Sequence, residues 1–193
     1  MVARGEAVEE VEEAAQPEPA QGGGFLRRLF PPAPALRGRP DPLAGFDPTG
    51  PLRPIRERAF LLRHNLLAWL GTGVVAFLGF FASFFYASSM LGLIGTFALF
   101  SALIAAGWLG WQRPTLFGTS AALVSYVLTA ALILFAFSQQ GVTPEAFGTP
   151  LGVVSQLLLQ AAYQAGLGFL GGWYGGYLRR RQTQISVDAR RKR

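Results

Sequence analysis

Three glutamines, Gln156, Gln160 and Gln164, recur at four-residue intervals inside a long apolar run and are its most polar side chains. A carboxamide both donates and accepts hydrogen bonds but transfers no proton near neutral pH, so its chemistry is recognition rather than acid–base work. Two readings follow. The amides hydrogen-bond each other or neighbours such as Ser125, Tyr126 and Tyr163, adding specificity to helix packing. Alternatively, they form a polar stripe that lines a path for a small uncharged solute. Against an ion- or proton-coupled carrier, no Asp, Glu, Lys or Arg falls inside any apolar run.

Other chemistry finds few candidates. Cysteine is absent, which excludes disulfides, thiolate nucleophiles and thiolate metal sites. A single histidine, His64, cannot build a multi-histidine metal centre, and it sits between Arg63 and Asn65 just before the first apolar run. No Gly-x-Ser-x-Gly elbow, intramembrane carboxylate pair or lysine-bearing phosphate loop occurs. The chain therefore reads as non-enzymatic and as needing neither cofactor nor metal.

The glutamine row does not stop at Gln164. It continues at the same spacing as Gly168, Gly172 and Gly176, with Gly171 and Gly175 adding a second row of that period. On a helix, positions four apart lie almost above one another and drift by about 40° per step. Six members therefore cannot all face one neighbour, and the glutamine and glycine halves are expected to meet different partners. Small residues let helix backbones approach closely in lipid. The glycines serve either packing inside the chain or a contact with another membrane protein's helix or a second copy.

These residues need membrane-spanning helices to position them. Hydrophobic residues make up 51% of the 193 and charged ones 15%, with the apolar share concentrated after residue 65. The run Leu66–Trp111 is 46 residues, which as one helix would reach about 69 Å, more than twice the ~30 Å hydrocarbon core. It must be two helices, broken at Tyr86-Ala87-Ser88-Ser89. The spans are expected at 66–87, 90–111, 116–137 and 151–177. Small faces run along the other three: Thr72, Ala76, Gly79 and Ser83; Gly95, Ala98, Ala102 and Ala106; Gly118, Ala122, Ser125 and Thr129. The fold class is all-α, an integral membrane four-helix bundle.

Outside the spans, residues 1–54 form a leader, acidic to residue 24 and then rich in proline and arginine; the acidic part is expected to be disordered. Within it, Phe25–Phe30 is a small apolar and basic cluster suited to a membrane surface. Residues 55–65 read as a short juxtamembrane amphipathic helix with Ile55, Ala59, Leu62 and Leu66 on one face. The tail, 179–193, is basic and expected to fray.

Charge sets the orientation. Nine arginines precede Leu66, Arg113 lies in the second connection and seven basic residues fill the tail, which accounts for all 17. The other two connections have none, so both termini are expected on the cytoplasmic side of a bacterial cytoplasmic membrane. Trp69, Trp108, Trp111 and Trp173 fall at the same inner level. The net charge of +6 is thus explained by topology, and no basic face for nucleic acid is left over. Expected partners are the lipid bilayer and other membrane helices, in the role of a subunit, assembly factor or scaffold. A small channel or carrier for an uncharged solute is the competing role.

Overall fold

The computed structural model describes residues 43, 45–47, 49–141 and 148–191, with side chains through residue 185. The acidic leader and the Phe25–Phe30 cluster lie outside the described residues, as does Glu145. Five helices follow in order: α1 Arg53–His64, α2 Leu67–Phe85, α3 Met90–Leu109, α4 Pro114–Gln139 and α5 Pro150–Arg191. Four of them, α2 to α5, are long and apolar enough to cross a membrane, making this a four-span helical bundle. The break in the first apolar run falls at Tyr86–Ser89, where the chain turns with Ser89 N–H donating to Tyr86 O at 2.9 Å. Proline stands at the start of α4, where its missing N–H costs nothing.

The span α3 runs through the middle of the bundle and touches α2 on one side and α5 on the other; α4 does the same. Small residues face these contacts. Thr72, Ala76, Gly79, Gly95, Ala102, Ala106, Gly118, Ala122 and Ser125 are all buried. Phenylalanines of α2 turn outward, with Phe84 and Phe85 mostly exposed. The α2–α3 crossing rests on two glycines: a Cβ on Gly79 would lie 2.7 Å from Gly95 O, and one on Gly95 would lie 2.7 Å from Gly79 O. That is backbone-on-backbone packing, available only where the side chain is a hydrogen atom.

A polar lock closes the end of the bundle where α3 stops. A helix leaves its last carbonyls without intrahelical donors. Here Gly110 N–H takes Ala106 O, Asn65 Nδ2 donates to Leu109 O at 3.2 Å, and Arg179 Nη1 donates to Gly110 O at 2.8 Å and Trp108 O at 3.2 Å. Arg179 is buried, and its positive charge faces the negative end of the α3 dipole. Arg113 binds Glu57 Oε1 through Nε and Nη2 at 3.1 and 2.8 Å, tying α1 to the α3–α4 turn. Trp108 Nε1 donates to Gln182 Oε1 at 3.3 Å, and Trp69 Nε1 donates to Leu62 O at 2.8 Å.

Three features depart from the sequence reading. Residues 179–191 are a direct continuation of α5 rather than a frayed tail, because Arg179 and Gln182 are held against the end of α3 and carry the helix past the last apolar turn. Trp111 is not at the lipid boundary; it is buried with Leu61, Ala68 and Phe117 in a cluster beneath α1. The first span opens with a π-helical turn, Leu67–Gly71, after a break at Asn65. Thr72 Oγ1 donates back to Ala68 O at 2.8 Å within it. The wider turn brings Ala68 into full burial.

Arg179 is expected to dominate the stability of this end. Arg179→Met keeps apolar bulk but takes the donor from a buried carbonyl, Gly110 O, at about 1–3 kcal/mol, and from the part-buried Trp108 O at less. Thermal unfolding in detergent should show a clear drop in Tm, whereas exposed Arg181→Met should leave it unchanged.

Candidate membrane-embedded groove

The two glycine rows of α5 separate onto two neighbours. A Cβ on Gly168 would lie 2.6 Å from Ala122 Cβ and 2.5 Å from Gly118 O, and one on Gly176 would lie 2.6 Å from the Pro114 ring, all on α4. Gly171 faces Leu103, at 2.8 Å to its Cβ, and Gly175 faces Ile104 O and Trp108 N, both on α3. Gly172 meets both helices: Gly107 of α3 abuts its backbone, and its own added Cβ would lie 2.5 Å from Pro114 O. Five glycines thus wedge one half of α5 between α3 and α4. The two rows sit about 100° apart around α5, and that offset assigns one row to each helix; the glutamine and glycine halves of the longer row, expected to meet different partners, both face α4. These positions are spent inside the chain, since a Cβ at each would strike this chain's own atoms.

Beyond Gly168 the same row becomes Gln164, Gln160 and Gln156, and the two backbones no longer meet. Side chains of that length hold α5 off α4 where glycine let the backbones meet. The separation leaves a groove of about 440 Å³, open along one side. Apolar walls come from Phe80, Leu99, Ile133 and Leu157, while Ser125, Tyr126, Thr129 and the three glutamines supply the polar groups. Gln156 and Gln160 are exposed and Gln164 is half-buried, close to the vertex where the helices converge. From Gln164 to Gln156 the stripe is about 12 Å long, ending near the N-terminal end of α5.

Two of the hydroxyls around the groove are already engaged. Tyr126 Oη donates across it to Leu157 O at 2.9 Å, and Thr129 Oγ1 donates to Ser125 O at 2.8 Å. The glutamines are not. None of the three carboxamides hydrogen-bonds another described residue, so the expected ties to Ser125, Tyr126, Tyr163 or one another are not made. Tyr126 finds a backbone carbonyl instead, and a four-residue rise of about 6 Å keeps successive amides apart. Three two-way hydrogen-bonding groups therefore stand open within a membrane span.

The groove does not continue through the bundle. It ends where Gly168 meets Gly118 and Gly172 meets Gly107, with backbone against backbone. His64 lies at the opposite end, exposed, with its ring centroid 4.0 Å from that of Phe60 and Nδ1 2.9 Å from Phe60 O. Sequence reasoning identified the stripe but not the void beside it. Phe80 and Ile133 carry no signal that separates a groove wall from a lipid-facing position.

Glycines of the one helix should differ sharply in tolerance. Gly166 has nothing within 4 Å of an added Cβ, so Gly166→Leu should be neutral or mildly stabilising, by up to ~1 kcal/mol of recovered helix propensity. Gly172→Leu should cost more than about 3 kcal/mol and scatter the bundle, with Gly172→Ala intermediate. Size-exclusion profiles and melting in detergent distinguish the three. No protein-family model, curated protein or solved structure matches this chain.

Proposed function

We propose that the protein is a non-enzymatic multi-pass membrane protein that serves as a subunit or assembly factor, receiving a partner's transmembrane helix in the groove between α4 and α5. The open carboxamides of Gln156, Gln160 and Gln164 carry this reading. An amide left to hydrocarbon lacks the hydrogen bonds it would make in water, and a neighbouring helix is the usual source of replacements. The side opening admits a helix from the lipid, and the apolar walls suit its flanking side chains. The glycine seam then has a supporting role, holding the base of the groove rigid while its mouth stays open.

A second reading, an uncharged solute held by the stripe, draws on the groove's size, which lies in the range of small-molecule pockets. The sealed vertex weighs against conduction, because flux would require the Gly107–Gly172 and Gly118–Gly168 contacts to part.

A photo-crosslinking amino acid at position 160 should capture a discrete membrane protein in native membranes. Gln156→Leu with Gln164→Leu should weaken that capture several-fold while leaving the melting temperature within about 2 °C, since these amides bond no described residue of the chain and each bond to a partner averages only ~0.6 kcal/mol. Selective flux of an uncharged solute such as glycerol into reconstituted vesicles, lost on Gln160→Leu, would overturn the subunit reading.

The proposed orientation has both ends in the cytoplasm. With no native cysteine, Gln140→Cys should react with an impermeant maleimide on intact cells, and Gln184→Cys only after lysis. Gln184 is preferred to Gln182, which accepts the Trp108 indole N–H. The opposite labelling pattern would invert the topology.

A further inference from the structure

The docking of α1 leaves an apolar stripe that no described residue covers. At about 100° per residue, Leu52, Ile55 and Ala59 line one side of α1, and Glu57 and Leu61 lie on the other. The bundle takes the second side: Leu61 is 1% exposed and Glu57 is held by Arg113. Leu52 and Ile55 remain 60% and 62% exposed, and Ala59 is exposed beside them. Arg56 and Arg63 border this stripe on one edge and Arg58 on the other, all three exposed. None of them forms an ion pair with a described residue, although Arg56 Nη1 donates to Thr49 O at 3.3 Å and its charge acts on Asp47; the helix's only carboxylate, Glu57, is already paired.

We propose that this face of α1 is a binding site for anionic phospholipid, with Leu52, Ile55 and Ala59 lying among acyl chains and Arg56, Arg58 and Arg63 holding the headgroup phosphates. Two observations select lipid over a protein partner. The helix ends at His64, three residues before the first membrane-crossing helix begins, and the indoles of Trp69 and Trp108 lie at that same end. This places α1 in the headgroup layer. The stripe is also bordered by guanidinium groups on both edges, the arrangement that couples a shallow apolar insertion to a negative surface. The Glu57–Arg113 ion pair and the burial of Leu61 in the cluster with Trp111 fix which face is presented.

The test uses the full chain, with a nitroxide on Ala59→Cys, in nanodiscs of phosphatidylcholine containing increasing phosphatidylglycerol. Accessibility to a water-soluble nickel chelate is read. Accessibility should fall as phosphatidylglycerol is added and recover in 1 M salt, where the screening length is only about 3 Å. Each arginine near an anionic surface is worth roughly fivefold in binding, so Arg56→Gln with Arg58→Gln and Arg63→Gln should weaken association at a given phosphatidylglycerol content by roughly a hundredfold. Lysine at the same three positions should restore it. Accessibility indifferent to lipid composition would overturn the proposal. So would a label shielded in pure phosphatidylcholine and uncovered only by deleting residues 1–24, which would make the acidic leader the occupant.

Discussion

Close backbone approach at Gly107, Gly118, Gly168 and Gly172 is the constraint on which the rest of the bundle depends. In lipid there is no hydrophobic gain from bringing two apolar helices together, because tails solvate leucine as well as another helix does. Association must come from dispersion contact and short-range polar interactions, both of which fall off steeply with distance. A glycine pair lets two helix backbones touch, and five glycines on one half of α5 meet α3 and α4 at once. Every other contact of α5 follows from where that wedge is driven.

The groove is the other consequence of the same row. Glycine and glutamine alternate in role rather than position: the spacing is unchanged from Gln156 to Gly176, yet one half closes and the other stands open. Helices that touch at one level and are held apart at another must diverge between them. The divergence exposes the polar half of α5 to a cavity that its own hydroxyl neighbours do not fill, since Tyr126 and Thr129 bond to backbone carbonyls. A rigid vertex and an open mouth are thus one mechanical arrangement.

At the opposite end the problem is the reverse, and it is solved by charge. The end of α3 gathers carbonyls in a place where α4 must turn back immediately, with no room for a solvated cap. Arg179 and Asn65 reach in from α5 and from the α1–α2 junction to supply the donors. A guanidinium suits this position, offering several N–H groups in a fixed plane together with a positive charge for the helix dipole. Arg179 and Asn65 therefore fasten α5 and the α1–α2 junction to the end of α3 at one level.

Much of this was legible in the chain itself. Four spans, the break at Tyr86–Ser89 and the small faces of α2, α3 and α4 follow from run length and 3.6-residue periodicity, because lipid permits few alternatives to a helix with one packable face. The glutamine and glycine rows are equally plain in the sequence, but not that both halves of the longer row would face α4 instead of different partners. What periodicity cannot carry is distance between elements. Nothing in the letters distinguishes Gly166, which faces open space, from Gly172, which touches two helices. Nor do they say that Arg179 is buried while Arg181 is exposed, that Trp111 lies inside rather than at the boundary, or that α1 docks through Leu61 and leaves Ile55 uncovered. These depend on the crossing positions of whole helices, which are settled by the sum of many small contacts and are therefore a property of the assembled bundle alone.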